Sequence, residues 1–244
     1  MNEFNVHNLK IFNADCMDIM FLYPDDYFDL AITDPPYFNG PEKLGYYRNG
    51  ESKVSRVKGW ASGGYWVKGG YKEIGEWKVP SNDYFEELIR VSKEQIIWGI
   101  NYYPIANLGN GRIIWDKVNG TSTFSDCEIA YCSKINSVRM FSFMWNGMMQ
   151  GSSKDGKRAE GNKKIQEVRI HPTQKPVQLY KWLYKKFSKS GQKILDTHLG
   201  SGSNAIAAHY AKVSEFVGCE LDTDYFQLAI ERIEKETRQL ELEL

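Results

Sequence analysis

The stretch KILDTHLGSGSNAIAAHYAKVSEFVGCE, residues 193–220, contains the strongest structural signal in this sequence. An apolar run leads into Gly200-x-Gly202-x-x-Ala205, a pattern that turns a strand sharply into a helix because glycine adopts positive φ without strain. A second apolar run then ends in the acid Glu220, 18 positions after Gly202. We predict a strand–helix–strand unit that binds a nucleoside cofactor at the glycine turn and its ribose at the acid. By itself, this unit fits a nicotinamide dinucleotide and S-adenosylmethionine equally well.

Outside this unit, the chain alternates between predicted strands and predicted helices. Seven apolar or β-branched runs are predicted strands: 9–14, 28–33, 95–99, 111–115, 127–132, 193–197 and 215–219. Helical periodicity is found at 83–92, where Asp83 and Glu86 suggest a capping box, at 176–187 and at 223–240. Most of the strands are continuously apolar, which is typical of a sheet covered on both faces. The alternation predicts one α/β domain spanning residues 1–244.

Composition excludes several classes of protein. The 244 residues are 42% hydrophobic and 25% charged, as in an ordinary soluble globular protein. No run approaches the ~18 apolar residues of a membrane helix, and no signal peptide opens the chain, so we expect a cytoplasmic protein without membrane contact. The four cysteines include no CxxC pair, so we expect neither a metal site nor a disulfide framework.

The formal net charge of zero hides a segregation of charge along the chain. Residues 1–34 contain one Lys and seven acids, whereas residues 41–78 contain eight Lys/Arg and four acids. Residues 134–175 contain nine Lys/Arg and three acids. A local basic face attracts phosphates even when the total charge cancels. On its own, the pattern fits a solvated surface better, so it indicates nucleic acid only beside a chemical motif.

The second chemical signal is FDLAITDPPY at residues 28–37, in which an apolar strand ends in an acid, two prolines and a tyrosine. Proline lacks an N–H, so this turn offers hydrogen-bond acceptors without competing donors. We expect the Asp34 carboxylate and the Pro35 carbonyl to accept one hydrogen each from an amine on a flat ring. Pro36 fixes the turn, and Tyr37 is expected to stack on the ring. The alternative is a strand-terminating turn with Asp34 as a cap.

These two motifs together make the chain resemble the amino-group DNA methyltransferases, which use S-adenosylmethionine, over nearly its whole length. Residues 34–37 resemble the family's catalytic motif, whose Asp form is more typical of adenine-N6 than of cytosine-N4 enzymes. The catalytic motif precedes the cofactor motif, which is the order of the β subgroup. The resemblance implies a circularly permuted, Rossmann-like methyltransferase sheet of seven strands with helices on both faces, matching the seven runs above.

Four segments resemble the family's cofactor-binding segments: FNADC, HPTQKP, DTHLGSGSNA and GCELD. The resemblance implies cofactor contacts from Asp15, His171, Thr173, Lys175, Asp196, His198, Gly200, Ser201, Gly202, Ser203 and Glu220. Thr173 and Lys175 are expected near the methionine end of the cofactor. His198 stands where the family usually has Phe, which makes the face toward the cofactor more polar.

The resemblance implies a site-specific adenine-N6 methyltransferase that acts on double-stranded DNA. The target amine lies inside the duplex, so the base must flip out of the stack. Residues 38–80 hold nine glycines, three Trp and four Tyr among basic residues, and we expect an inserted DNA-contacting loop there, with a dimer contact as the alternative. Residues 134–170 are the expected short target-recognition segment. A homodimer and a cognate restriction enzyme are the expected protein partners.

Three other functions remain open at the level of sequence. Cytosine-N4 methylation, or methylation of RNA, fits the same motifs because the pocket recognises only an amine on a ring. A nicotinamide-dependent oxidoreductase would use the glycine turn and Glu220 but leaves DPPY and HPTQKP without a role. A DNA-binding module with a decayed site is the non-enzymatic alternative, and His198 is its best support.

Overall fold

The computed structural model describes residues 2–37, 78–105, 107–119, 125–146, 149–151 and 167–238. The strands are β1 (Asn2–Val6), β2 (Leu9–Asn13), β3 (Leu30–Thr33), β4 (Gln95–Trp98), β5 (Arg112–Asp116), β6 (Cys127–Cys132), β7 (Val138–Ser142), β8 (Met144–Asn146), β9 (Met149–Gly151), β10 (Lys193–Asp196) and β11 (Glu215–Glu220). The helices are α1 (Cys16–Met20), α2 (Asn82–Val91), α3 (Val177–Phe187), α4 (Ser203–Tyr210) and α5 (Thr223–Arg238), and a short 3-10 helix spans Ile100–Tyr102.

Nine of these strands form one sheet in the order β1-β2-β11-β10-β3-β4-β6-β5-β7. The five strands from β2 to β4 in that order are parallel, whereas β1 and β6 run antiparallel to their neighbours. The other two strands, β8 and β9, pair separately. All seven predicted strands lie in the sheet. Within the described residues, β1 and β7 extend its two edges and raise the number of strands from the predicted seven to nine.

Helices cover both faces of the sheet, as predicted. On β3, Leu30 and Ile32 point to the face that packs against α3, α4 and α5, whereas Ala31 points to the face that packs against α1 and α2. The alternation of side chains along each strand explains why both sets are buried. Leu30 and Ile32 are fully inaccessible, and burial of such a side chain contributes about 1.5–3 kcal/mol each. The core therefore has two apolar layers around a buried sheet.

The helix ends differ in detail from the sequence predictions. The capping box at Asp83 and Glu86 is wrong: α2 begins at Asn82, and its N-cap is Ser81, which makes no side-chain cap hydrogen bond. Asp83 instead lies in the first turn, where its charge is favourable to the helix dipole. At the start of α5, the Asp222 carboxylate caps the helix by accepting hydrogen bonds from the N–H groups of two residues in the first turn.

Most of the two segments expected to contact DNA lies outside the described residues. Of the 38–80 loop, residues 38–77 lie outside, and of the 134–170 segment, residues 147–148 and 152–166 do. The described part of the second segment forms β7 in the main sheet and the β8–β9 pair. In the ranges that the structure describes, no helix is long and apolar enough to cross a membrane.

Candidate active site

A cavity of about 880 Å³ opens where the parallel strands β2, β3, β10 and β11 end. Parallel neighbours place their carboxyl ends at the same edge of a sheet, which is the usual ligand-binding edge of α/β folds. Asp34 follows β3, His198 lies two positions after β10, and Glu220 ends β11. A cavity of this size is large enough for a cofactor and part of a substrate.

The cavity gathers most of the residues that the sequence selected. Thirteen of them line it: Asp15, Asp34, Pro35, Pro36, Tyr37, His171, Thr173, Lys175, His198, Gly200, Ser201, Ser203 and Glu220. The other two predicted residues, Asp196 and Gly202, do not line it. Asp34 and Gly200, from motifs far apart in the chain, therefore share one cavity.

The two oxygens of the Asp34 carboxylate differ in their contacts with the protein. Its Oδ2 forms an ion pair with Lys175 Nζ. Its Oδ1 is buried, and no group among the described residues donates a hydrogen bond to it. Burial raises the pKa of Asp34, while the Lys175 cation opposes the rise. A buried carboxylate oxygen without a donor is uncommon and indicates a ligand hydrogen at this position.

Lys175 contacts the catalytic motif, although the sequence placed it at the methionine end of the cofactor. Its ammonium lies between Asp34 and Glu128 Oε2, 3.0 Å from the latter, and 5.5 Å from the centre of the Trp98 ring. Lys117 Nζ is 2.6 Å from the other oxygen of Glu128. Burial disfavours ionisation of Glu128, but the two lysines outweigh it and lower its pKa to about 2.

Glu128 was not among the predicted site residues. It lies in the apolar run CEIAYC, which was interpreted only as a strand. An acid within such a run is costly to bury unless it is paired. The presence of Glu128 in an apolar strand was therefore the one feature of the sequence that could have identified it. Its partners come from elsewhere in the chain, so the sequence pattern did not identify them.

Protein groups already occupy part of the predicted amine site. The Tyr103 hydroxyl donates a hydrogen bond of 2.8 Å to the Pro35 carbonyl, which retains a second lone pair. The Tyr37 ring stacks on Tyr102, with ring centroids 4.7 Å apart and an angle of 8° between planes. Gly99 has φ +70°, and a Cβ there would lie 2.3 Å from the Tyr37 ring. One face of the Tyr37 ring is thus covered by Tyr102.

The glycine turn is tied directly to the acid of the next strand. The Gly200 N–H donates a hydrogen bond of 2.8 Å to Glu220 Oε2, and the Asp222 N–H donates one of 3.0 Å to Oε1. Each carboxylate oxygen keeps a further lone pair, so Glu220 is still able to accept two hydroxyl hydrogens. Burial raises the pKa of Glu220 to about 7. The donor and acceptor set fits a ribose.

Asp196 stabilises the segment that contains the glycine turn. Its carboxylate accepts hydrogen bonds from the His198 N–H at 3.1 Å and from Asn204 Nδ2 at 3.0 Å, and burial raises its pKa to about 7. The His198 ring lies in the cavity with Nδ1 2.9 Å from Thr197 Oγ1. Burial lowers the pKa of His198 to about 4, so the ring is neutral at pH 7.

The HPTQKP segment forms a compact turn beside the glycines. His171 Nδ1 lies 3.1 Å from Thr173 Oγ1 and 3.3 Å from the Thr173 N–H. Burial lowers the pKa of His171 to about 3, so this nitrogen is an acceptor near neutral pH. The His171 ring also packs 3.7 Å from where a Cβ of Gly200 would be. The two cofactor motifs therefore contact each other.

A cluster of three hydroxyls connects the two halves of the site. Tyr84 OH lies 3.2 Å from Thr33 Oγ1 and 2.6 Å from Thr197 Oγ1, and the two threonines contact each other. Thr33 ends β3, Thr197 follows β10 and Tyr84 belongs to α2. Nothing in the sequence indicated this cluster, because each hydroxyl is unremarkable in its own segment.

The charge of the cavity distinguishes between the two classes of cofactor. Five acids and two lysines line it: Asp15, Asp34, Asp83, Glu220, Asp222, Lys78 and Lys175. A net negative cavity favours a cationic sulfonium and disfavours the two negative charges of a pyrophosphate. The geometry thus fits S-adenosylmethionine better than a nicotinamide dinucleotide.

Comparison with known proteins agrees with this geometry. The model of a family described as DNA methylase, covering N6 and N4 amino-methyltransferases, matches residues 28–231. The chain belongs to this DNA methylase family. The family is dependent on S-adenosylmethionine, and the predicted resemblance is confirmed at this level.

Individual relatives of this DNA methylase are distant but extend over most of its length. The Type II methyltransferase M.ScaI of Streptomyces caespitosus is 24% identical over 259 residues, covering 97% of this chain and 85% of the relative. The Type II methyltransferase M2.DpnII of Streptococcus pneumoniae is 23% identical over 264 residues, covering 96% and 92%. Among solved structures, PvuII DNA methyltransferase (cytosine-N4-specific) has a TM-score of 0.51 at 12% identity, covering 95% of this chain and 90% of its own. That likeness confirms the fold.

Proposed function

We propose that this methylase transfers a methyl group from S-adenosylmethionine to the N6 amine of an adenine in double-stranded DNA. The proposal depends chiefly on the Asp34 carboxylate, whose buried Oδ1 has no donor among the described residues and lies in the same cavity as the glycine turn. The Asp form of the motif favours adenine over cytosine. Cytosine-N4 is the alternative outcome of the experiment below.

The chemistry requires acceptors for the hydrogens of the amine. The lone pair of adenine N6 is delocalised into the ring, so the amine is a weak nucleophile. When Asp34 Oδ1 accepts one hydrogen and the free lone pair of the Pro35 carbonyl accepts the other, the nitrogen lone pair turns out of the ring plane. The Asp34 carboxylate also stabilises the positive charge that grows on the nitrogen.

The other half of the cavity suits the methyl donor, whose sulfonium supplies an electrophilic methyl group when it is bound. Glu220 has lone pairs for the ribose hydroxyls, and Gly200 and Ser201 of the glycine turn line the same cavity. Asp15 caps α1 by accepting a hydrogen bond of 2.9 Å from the Met17 N–H, and it lines the same cavity. These residues hold and orient the donor, which reduces the entropic cost of the encounter.

The DNA-binding regions in this proposal are those predicted from the sequence. Residues 38–80 are the DNA-contacting loop, and residues 134–170 are the target-recognition segment. Flipping the base costs a few kcal/mol, of which stacking on the ring of Tyr37 returns about 1–3 kcal/mol. Lys78, at the end of the loop, lines the cavity and extends the basic charge of the loop to its rim.

Identification of the product tests the proposal. Plasmid DNA is incubated with the protein and labelled S-adenosylmethionine, digested to nucleosides and separated. We expect label in N6-methyldeoxyadenosine, at one sequence context. Label in N4-methyldeoxycytidine would change the substrate and keep the chemistry, whereas an absence of label in DNA would contradict the proposal.

The role of Asp34 is tested by Asp34→Asn. We expect kcat to fall by about 10²–10³-fold, because the charge that stabilises the growing cation is lost. Binding of S-adenosylmethionine, measured by calorimetry, is expected to change little. A circular dichroism spectrum and a melting curve show that the variant is folded. Normal methyl transfer by the folded variant would exclude Asp34 from the chemistry.

Two partners remain as predictions. We infer that the methylase protects its own recognition sequence from a cognate restriction enzyme, and that it forms a homodimer. Resistance of modified plasmid to restriction enzymes tests the first, and sedimentation equilibrium tests the second.

A further inference from the structure

We propose that Glu128 is a positioning residue for the methyl-transfer reaction: through Lys175, it fixes the Asp34 carboxylate and keeps the surroundings of the target amine from becoming positive. This inference rests on the proposed function of Asp34. It concerns a residue on β6, outside every motif that the sequence identified.

The first step is geometric. Lys175 has two carboxylate partners, Asp34 Oδ2 and Glu128 Oε2, and its side chain is only 3% exposed. Its ammonium is therefore held between the two acids and cannot turn into solvent. Because Lys175 pairs with one oxygen of Asp34, the other oxygen remains as the acceptor for the amine. Glu128 thus helps to fix the orientation of the Asp34 carboxylate by holding the lysine that pairs with it.

The second step concerns charge. The Asp34–Lys175 pair is neutral as a unit, so it would stabilise a cation on the amine less than a lone carboxylate would. Glu128 balances Lys175, and Lys117 lies beyond it, 2.6 Å from its Oε1. The four charges alternate. Removal of the Glu128 charge leaves two lysines against one carboxylate, close to a nitrogen on which positive charge grows.

Other groups near Asp34 do not replace Glu128. In the described part of the chain, the titratable groups whose charge or proton interacts with Asp34 from the surrounding elements are Tyr37, Tyr103, Lys117, Glu128, Lys175, Tyr180 and Asp196. Burial raises the pKa of all three tyrosines, so they are neutral near pH 7. Asp196 is engaged by Asn204 and by the backbone of His198. Among the residues that the structure describes, Glu128 is the only acid besides Asp34 that forms an ion pair with Lys175.

The main test is Glu128→Gln, which keeps the shape and removes the charge. We expect kcat to fall about 10–100-fold, with little change in the KM for S-adenosylmethionine. Glu128 raises the pKa of Asp34 by repulsion, so its removal lowers that pKa. The acidic limb of the kcat–pH profile should therefore move to lower pH although the enzyme is slower. A defect caused only by loosened packing would not move this limb.

A second variant independently tests the direction in which the acidic limb of the kcat–pH profile moves. Lys117 lowers the pKa of Asp34, so Lys117→Met should move the acidic limb to higher pH, opposite to Glu128→Gln. Lys117 lies at the outer end of the charge chain, with 19% of its side chain exposed, and its replacement leaves both partners of Lys175 in place. If Glu128→Gln does not fold, Lys117→Met decides the test. An acidic limb of the kcat–pH profile that stays at the wild-type pH would overturn the inference.

A matched control removes a similar carboxylate elsewhere. The side chain of Glu215 is 16% exposed, against 17% for Glu128, and pairs with Lys10 at 3.1 Å. It begins β11, at the amino end of the strand, away from the cavity. Glu215→Gln should change neither kcat nor the pH limb. An equal effect of Glu215→Gln and Glu128→Gln would overturn the inference.

The failure of this inference differs from failure of the proposed function. If the wild type methylates DNA and Asp34→Asn does not, while Glu128→Gln has the wild-type kcat and pH limb, then only the role of Glu128 is wrong. If the wild type transfers no methyl group to DNA, the proposed function itself is wrong.

Discussion

At the scale of single residues, Glu220 shows how burial prepares a group for its ligand. Both of its oxygens accept backbone N–H groups, yet its pKa is raised to about 7 because burial outweighs those bonds. Near pH 7, the side chain is therefore a mixture of acid and carboxylate. Hydroxyl donors bind the carboxylate more strongly than the acid. The affinity for a ribose should then depend on pH in the neutral range.

We predict that affinity for S-adenosylmethionine rises as pH increases from 6 to 8, because Glu220 ionises through this range. Glu220→Gln should bind about 10-fold more weakly at pH 8, since its amide oxygen accepts from one of the Gly200 and Asp222 N–H groups while its NH2 meets the other as a donor facing a donor. Titration calorimetry at pH 6, 7 and 8 measures both effects.

The amino group of S-adenosylmethionine also titrates, but it contributes equally to the affinities of the variant and the wild type. Its contribution therefore cancels when the two pH dependences are subtracted. Glu215→Gln, at the other end of the same strand, is the control and should follow the wild type. If Glu220→Gln retained the full pH dependence of the wild type, Glu220 would not be its source.

At the scale of elements, Arg232 joins three parts of the site. From α5, it donates hydrogen bonds of 2.8 Å to the Ser201 carbonyl and 2.9 Å to Ser203 Oγ, and it pairs with Glu167 at 2.8 Å. Glu167 in turn accepts a hydrogen bond from the Val177 N–H at the start of α3. One guanidinium therefore connects the glycine turn with the HPTQKP side of the cavity.

We predict that Arg232→Met lowers the free energy of unfolding by about 2–4 kcal/mol, because it leaves a largely buried carboxylate without its partner. The control is Arg238→Met on the same helix. The Arg238 side chain is 73% exposed, and its pair with Glu234 should contribute less than about 0.5 kcal/mol. Urea unfolding monitored by circular dichroism compares the two. Equal losses would show that Arg232 contributes only helix packing.

At the scale of the whole molecule, the sequence predicted what local patterns encode. Seven apolar runs predicted seven strands, because buried strands are continuously apolar. The edge strands β1 and β7 were missed because their side chains are mostly exposed or partly buried. The two strand-end motifs, after β3 and β10, were each identified from their own segments, and they meet because neighbouring parallel strands end at one edge. Glu128 and the hydroxyl cluster around Tyr84 depend on side chains that are distant in sequence, and no local pattern identifies such partners.

The segregation of charge predicts how the whole molecule binds DNA. Residues 41–78 are rich in Lys and Arg, and each phosphate contact releases counterions. We predict that Arg56→Ala together with Lys58→Ala weakens DNA binding and flattens the plot of log affinity against log salt by about 1–2 units of slope. Fluorescence anisotropy at several salt concentrations measures the slope.

The control is Lys185→Ala together with Lys186→Ala, which removes the same charge from an exposed turn near the end of α3. It should leave the slope unchanged. If the two double variants had the same slope, the loop would not be a specific DNA contact.

The pairing of β3 with β10 has a consequence for how such enzymes diversify. These strands are sheet neighbours although the chain visits β4 to β9 between them, and Thr33 and Thr197 hold their ends together. The distance between the two reactants is therefore set across the sheet, by one inter-strand spacing of about 4.8 Å. Loops between the intervening elements do not set that spacing, so such loops are free to lengthen, shorten or acquire a new DNA preference while the reacting groups stay in register.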